Sequence, residues 1–121
     1  MVLFDTNFLA VPAQFKVDIF DEVASKVPGA HFATLYSVIE EVKKIKDKKA
    51  SKLALMLVQA KGVELIKQRF DDGVATDDAL LSVAVRNNAV LCTNDAVLRK
   101  KAEKQGVSVV FLRQKNRVEM R

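Results

Sequence analysis

Acidic side chains stand at four places in the chain that each follow or open a predicted structural element. Asp5 follows the first apolar run, and Asp95 follows a later one after two polar residues. The other two places are acid pairs, Glu40-Glu41 and Asp77-Asp78, near the starts of predicted helices. If the fold gathers these carboxylates, they will repel one another and raise one another's pKa unless a cation is bound between them.

Each acid also has an ordinary structural explanation. Asp5 could simply end a strand, and Asp95 could cap a helix. Asp77 and Asp78 could be first-turn acids that interact with the helix dipole, and Glu41 could be a solvated residue with lysine neighbours. The interpretation as a metal site therefore depends on whether the fold brings these carboxylates together. Oxygen ligands with no His or Cys nearby suit Mg²⁺ or Mn²⁺ rather than zinc.

Short apolar segments alternate along the chain with longer amphipathic ones. Strands are predicted at 1–4, 30–35, 63–66, 89–92 and 107–112, and helices at 13–26, from Ser37, at 48–61, from Thr76 to 86 and at 95–105. Ser37 and Thr76 are predicted N-caps. Because the strands lack strict polar alternation, they indicate a parallel sheet covered on both faces. The prediction is an α/β fold of three layers, α/β/α, with about five strands whose order periodicity does not reveal.

Ligands of open parallel sheets bind beyond the carboxyl ends of the strands, near the point where the strand order reverses. Asp5 and Asp95 follow strands and are expected at that edge, and Glu40 and Glu41 follow the second strand. The Asp77-Asp78 pair opens a helix that leads into a strand, so this rule alone does not place it there.

The 121 residues fit one domain, and the net charge of +5 with a pI of about 9.4 favours a polyanionic partner such as RNA. Positive charge is concentrated in a lysine cluster, Lys43, Lys44, Lys46, Lys48, Lys49 and Lys52, and in a basic tail with Arg113, Lys115, Arg117 and Arg121. Each could equally be a solvated surface. No run reaches the roughly 20 apolar residues of a membrane span, the start does not resemble a signal peptide, and a lone cysteine excludes an internal disulfide. We expect a cytoplasmic protein with no membrane partner.

Four segments, in family order, resemble the motifs of PIN-domain ribonucleases. They are Val2-Leu3-Phe4-Asp5-Thr6-Asn7, Ser37-Val38-Ile39-Glu40-Glu41-Val42, Thr76-Asp77-Asp78-Ala79-Leu80-Leu81 and Thr93-Asn94-Asp95. The resemblance covers residues 1–112, which would form the nuclease domain, and leaves 113–121 as a basic tail. It implies the strand order 3-2-1-4-5, which would bring all four acids to one edge.

The family motifs imply that Asp5, Glu41, Asp78 and Asp95 are the catalytic acids, of which Asp5, Asp78 and Asp95 would hold one or two Mg²⁺ or Mn²⁺ ions. Glu41 is preferred over Glu40, and Asp78 over Asp77, because an apolar residue follows each preferred acid as it does in the family. Adjacent helical residues point about 100° apart, so both members of a pair cannot face one ion equally well.

The resemblance further implies hydrolysis of RNA phosphodiesters. The segment from Pro12 to Phe20 is similar to archaeal PIN proteins related to small-subunit rRNA-processing nucleases, while the toxin endonucleases of VapBC pairs share the four motifs. The partner besides RNA would accordingly be an antitoxin protein or a ribosomal precursor, and a homodimer is expected. The alternative is a PIN fold that binds RNA or a protein partner with weak or absent catalysis.

Other α/β classes lack their defining residues here. A response-regulator receiver needs an Asp after the third strand, where Lys67 stands, and a haloacid-type phosphohydrolase needs an acid where Asn7 stands. A nucleotide-binding domain needs a glycine-rich first turn, but residues 5–10 contain no glycine.

Overall fold

A six-stranded sheet forms the centre of the computed structural model, which describes residues 1–15, 18–67, 74–113 and 117–121. The strands are β1 (Val2–Phe4), β2 (Phe32–Leu35), β3 (Glu64–Ile66), β4 (Val90–Cys92), β5 (Val109–Arg113) and β6 (Arg117–Met120). The helices are α1 (Thr6–Leu9), α2 (Val11–Phe15), α3 (Ile19–Lys26), α4 (Tyr36–Lys43), α5 (Lys48–Ala60), α6 (Thr76–Asn87) and α7 (Ala96–Lys104).

The sheet order is β3-β2-β1-β4-β5-β6, with the first five strands parallel and β6 antiparallel to β5. The predicted α/β class and the order 3-2-1-4-5 are therefore confirmed, with one further strand at the edge. The strand order reverses between β1 and β4, so the carboxyl ends of these two strands flank the expected ligand site.

The first strand is the most deeply buried part of the sheet. All three of its residues are completely inaccessible to solvent, as a central parallel strand covered on both faces requires. The ring of Phe4 contacts those of Phe8, Phe20 and Phe32 at centroid separations of 5.1–5.9 Å. This aromatic cluster packs the end of β1 against α1, α3 and β2.

Several predicted helix boundaries are wrong. The helix predicted at 13–26 is two helices, α2 and α3, because Asp18 accepts a hydrogen bond from the Asp21 amide and starts α3; residues 16 and 17 lie outside the described ranges. Ser37 and Thr76 are not N-caps, since both lie inside the first turn and the caps are Leu35 and Ala75. These two caps make no side-chain hydrogen bond, so side-chain chemistry does not mark them in the sequence.

The chain beyond the predicted domain boundary is part of the sheet rather than a free tail. Strand β6 pairs with β5 in the register Leu112 to Val118, and Val118 is completely buried. Arg113 contacts Glu119 through a 3.1 Å ion pair, and the guanidinium of Arg121 lies 5.4 Å from the centre of the Phe111 ring. Much of the basic tail is therefore held in place, although residues 114–116 lie outside the described ranges. In the described part of the chain, no helix is long and apolar enough to cross a bilayer.

The C-cap of α6 adopts a backbone conformation that few side chains tolerate. Asn88 has φ 50° and ψ 44°, in the left-handed region, and its amide closes the helix on the carbonyls of Ala84 and Val85. We expect Asn88→Ala to lower the free energy of unfolding by about 1 kcal/mol, because a Cβ without Asn's local polar interactions is disfavoured there. Asn88→Gly should match or exceed the wild type. Urea unfolding of the three proteins measures this, and an alanine variant as stable as wild type would contradict it.

Candidate active site

Asp5 stands at the switch point between the two central strands. Phe4 is paired with Cys92 in the sheet, so Asp5 and Thr93 are the next residues along two adjacent parallel strands. The backbone amide of Asp5 donates to the carbonyl of Cys92 at 3.1 Å. Only 4 % of Asp5 is exposed, and Thr93 is completely buried. The fold therefore carries a carboxylate into the interior at the place where ligands of such sheets bind.

Both oxygens of the Asp5 carboxylate accept hydrogen bonds. Oδ1 accepts from the backbone amide of Phe8 at 2.7 Å, which caps α1. Oδ2 accepts from the hydroxyl of Thr93, and that hydroxyl oxygen in turn accepts from the backbone amide of Asp95 at 3.0 Å. One threonine side chain thus links the first and last acids of the predicted set, and fixes the orientation of Asp5.

Asp95 serves as the N-cap of α7. Its Oδ1 accepts from the amides of Val97 at 2.8 Å and Leu98 at 3.1 Å. The ordinary explanation of Asp95 is therefore correct, but it does not exclude a second role, because capping uses only one of the two carboxylate oxygens. The cap also holds the side chain at the mouth of the site.

Glu41 reaches the same place from α4. The hydroxyl of Thr6 donates to Glu41 Oε1 at 2.5 Å, which ties α4 to α1 directly after Asp5. The buried hydroxyl of Thr34 donates to the carbonyl of Phe4 at 2.8 Å and so fastens β2 to the end of β1. Glu40 points elsewhere and pairs with Lys43 at 3.4 Å. Of this acid pair, the structure brings Glu41 into the site.

The pair at the start of α6 is arranged differently from the prediction. Asp77 lines the site with Asp5 and Asp95. Asp78 lies outside it, in a neighbouring depression on the surface, and its Oδ1 is 3.7 Å from the ammonium of Lys101. The rotation of about 100° between adjacent helical residues sends the two carboxylates to different places. Sequence reasoning also did not single out Lys101, because a lysine on an exposed helix carries no distinctive signal.

These side chains surround a polar pocket of about 330 Å³. It is lined by Asp5, Thr6, Asn7, Glu41, Asp77 and Asp95. We call this the acid pocket. Across residues 1–15, 18–67, 74–113 and 117–121, no three acidic, His or Cys side chains already lie close enough to share one ion. The carboxylates converge on the pocket without forming a finished coordination shell.

Two of the carboxylates in the acid pocket, those of Asp5 and Asp77, have raised pKa values. The pKa of Asp5 is raised to about 6: burial is the largest cause, hydrogen bonds from Thr93 and the Phe8 amide oppose it, and the charges of Asp77 and Asp95 add to it. The pKa of Asp77 is also raised, first by partial burial and then by neighbouring acids, whereas Lys101 lowers it. Like charges held this close favour protonation or the binding of a cation.

The donor set fits a hard divalent cation. Within the acid pocket the side-chain donors are carboxylate, hydroxyl and amide oxygens, with no imidazole or thiolate. Mg²⁺ and Mn²⁺ prefer such ligands, whereas zinc prefers nitrogen and sulfur. Glu41 and Asp77 are exposed at this pocket, and Glu41 is held there by the hydroxyl of Thr6, while Asp5 is buried and fixed by hydrogen bonds from a backbone amide and the Thr93 hydroxyl.

Comparison with known proteins connects this geometry to a family. The sequence profile described as "PIN like domain" matches residues 2–115. The ribonuclease VapC9 of Archaeoglobus fulgidus is 28% identical over 120 residues, which span 94% of this chain and 84% of that protein. The solved structure of the PIN domain endonuclease Utp24 superposes with a TM-score of 0.81, covering 98% of this chain and 90% of that chain at 22% identity. At that identity, the superposition establishes a shared fold.

The raised pKa of Asp5 predicts how stability depends on pH. Between about pH 4 and 6 the unfolded chain releases the Asp5 proton while the folded protein retains it, so the stability contributed by this group falls as pH rises through that window. Above pH 6 both states are ionised and the full cost of the buried charge is present. We expect Asp5→Asn to gain about 3 kcal/mol relative to wild type between pH 4 and pH 7. Chemical denaturation in EDTA at several pH values measures the difference, and a pH-independent difference would contradict the assignment.

Proposed function

The chain belongs to the PIN like domain family, and from this membership together with the acid pocket we propose that it is an endoribonuclease that requires Mg²⁺ or Mn²⁺. The observation that carries the proposal is the convergence of Asp5, Glu41, Asp77 and Asp95 at the carboxyl ends of β1 and β4. Stability alone does not account for it, since burial and, after it, repulsion from neighbouring acids raise the pKa of Asp5 and of Asp77.

In this proposal Asp5, Asp77 and Asp95 hold the ion, and Glu41 completes the set. Asp77 replaces the Asp78 of the sequence prediction because Asp77 lines the acid pocket. The bound ion would lower the pKa of a water and stabilise negative charge on the phosphate. Glu41 and Asp77 are exposed, so their side chains would complete the coordination shell when an ion is bound.

The remaining chemistry depends on how the chain's own residues hold these carboxylates. Thr93 keeps Asp5 in one orientation and presents the amide of Asp95, so these two ligands move as a unit. Thr6 holds Glu41 at 2.5 Å, where Glu41 orients water or completes the ligand set. Asn7 lines the pocket from α1 and supplies a neutral polar group toward the substrate. Substitution of such supporting residues typically lowers metal affinity or activity by about 10- to 100-fold.

RNA as the substrate is supported by charge and by the name of one relative. The lysine cluster defined above lies on and between α4 and α5, directly after Glu41, and its lysines are exposed. Lys43 is paired with Glu40, whereas no ion pair is found for Lys44, Lys46, Lys49 or Lys52 among the described residues. A backbone-binding strip leading into the acid pocket would give sequence-poor, salt-sensitive binding.

The cellular role has two candidates within this proposal. Resemblance to the ribonuclease VapC9 favours a toxin, which predicts a small antitoxin partner, a homodimer and growth arrest on expression. The resemblance of the segment from Pro12 to Phe20 to archaeal PIN proteins related to rRNA-processing nucleases favours rRNA processing, which predicts association with ribosomal precursors. Affinity purification from the native cytoplasm, followed by identification of bound RNA and protein, separates the two.

Metal binding can be tested without any activity measurement. We expect Mn²⁺ at about 100 times its dissociation constant to stabilise wild type by about 2.7 kcal/mol, because only the folded protein assembles the pocket. Asp5→Asn and Asp77→Asn should each lose most of this gain, and Asp18→Asn, which changes an acid far from the pocket, should retain it. Thermal denaturation with and without Mn²⁺ measures the shift, and equal shifts in all four proteins would rule out the site.

The choice between the acids that open α6 is tested by cleavage of single-stranded RNA with Mn²⁺. We expect Asp77→Asn to reduce kcat by at least about 100-fold, because a charged ligand of the ion is lost. Asp78→Asn should stay within about tenfold of wild type, since its carboxylate lies outside the pocket. The reverse ranking would restore Asp78 as the ligand. RNA binding without cleavage by the wild type would instead favour the catalytically inactive binding module.

A further inference from the structure

Lys101 lies in the last turn of α7, next to the acid pair that opens α6. Its ammonium is 3.7 Å from Asp78 Oδ1, and 53% of its side chain is exposed, with 60% of that of Asp78. Helices α6 and α7 pack against each other, which brings Lys101 next to the first turn of α6. Asp78 is the sequence neighbour of Asp77, which lines the acid pocket, so Lys101 lies close to the rim of that pocket.

The pair between Lys101 and Asp78 does little for stability. An exposed ion pair typically contributes little to the free energy of unfolding, because solvent and salt screen it. The 3.7 Å separation is also too long for a direct hydrogen bond, so the ammonium is held nearby without being locked. A lysine placed in this way keeps ammonium donors available for a second anion while it stays close to its partner carboxylate.

The acid pocket needs such a cation if a phosphate is to enter it. Four carboxylates line it, and in the described part of the chain none of them forms an ion pair with a lysine or arginine. A divalent ion offsets two of these charges, so a phosphodiester would still meet net repulsion. A lysine at the rim supplies positive charge and ammonium donors, and lysine is a common phosphate-binding residue.

We propose that Lys101 binds a phosphate of the substrate strand at the entrance to the acid pocket, and that Asp78 is the positioning residue that holds the Lys101 side chain there. This inference rests on the proposed nuclease function. It also gives the acid pair of α6 two separate tasks, with Asp77 inside the pocket and Asp78 directing the neighbouring cation. Because a free lysine side chain loses rotamer entropy when it is ordered, a loose tether to Asp78 reduces the cost of placing the ammonium on the substrate.

The test compares Lys101→Met with Lys100→Met, which removes the same charge from the adjacent exposed position of the same helix. We expect Lys101→Met to lower kcat/KM for single-stranded RNA by about 10- to 100-fold, the range of a lost charged hydrogen bond. The slope of log(kcat/KM) against log[salt] should become shallower by about one. Lys101→Arg should recover most of the loss, and Lys100→Met should change kcat/KM by less than about threefold. Equal effects of the two methionine variants would overturn the proposal.

The positioning role of Asp78 is tested by a double-mutant cycle. Asp78→Asn should lower kcat/KM by about 3- to 10-fold in the wild-type background and have no further effect when Lys101 is already Met. Asp78→Glu should retain activity, because it keeps the tether. Additive losses from the two substitutions would show that Asp78 acts independently of Lys101.

A binding measurement separates failure of this inference from failure of the nuclease proposal. In the Asp77→Asn background, Lys101→Met should weaken the binding of a short fluorescent single-stranded RNA by about tenfold relative to Lys100→Met. Weakened binding supports the Lys101 assignment even if wild type proves unable to cleave RNA. Unchanged binding together with normal cleavage by Lys101→Met would refute the assignment and leave the nuclease proposal intact.

Discussion

The candidate site depends on one buried carboxylate, that of Asp5, held between the Phe8 amide and the Thr93 hydroxyl. Taking a charged group out of water is costly, and the raised pKa of Asp5 shows that these hydrogen bonds offset only part of that cost. The position is nevertheless imposed by the fold, because Asp5 directly follows the completely buried β1. Thr93 reaches Asp5 because β4 is parallel to β1 and in register with it. The sheet therefore fixes the position of Asp5 independently of the other acids.

The fold was largely predictable, because alternation of short apolar and longer amphipathic segments indicates helices between parallel strands. Strand order came from the four motifs, since periodicity reports which face of a segment is buried and not which segment lies beside it. Short elements escaped prediction. Four-residue α1 is too short for a helical period, and β6 is antiparallel and follows a polar stretch. Its pairing is decided by the free edge of β5, which sequence does not display.

The candidate site was predictable to the level of which segments meet, and less so to the level of which side chain of a pair points inward. Asp5, Glu41 and Asp95 all line the pocket as expected from their motifs. The acid pair that opens α6, Asp77-Asp78, shows how far the sequence prediction extends. The family motif favours Asp78 because Ala79 follows it, whereas Asp77 lines the acid pocket. A motif records which residues are adjacent in sequence, and adjacent helical residues point about 100° apart, so the motif does not by itself decide which of the two acids faces the pocket.

The acids of the pocket divide into two kinds, and this division bears on how the site works. Asp5 and Asp95 are fixed by backbone amides, so they keep their positions whether or not an ion is bound. Glu41 and Asp77 are exposed and can adapt their rotamers. A pocket built only of fixed, buried acids would accumulate repulsion that destabilises the fold, whereas one built only of mobile acids would lose entropy on binding each ion. With two acids of each kind, less stability is lost in the metal-free protein, and the fixed pair still defines where the metal would bind. An arrangement of acids that raises the affinity of the site for a cation therefore lowers the stability of the metal-free protein. Thr93 bears on both, because its hydroxyl donates to Asp5 and accepts from the backbone amide of Asp95.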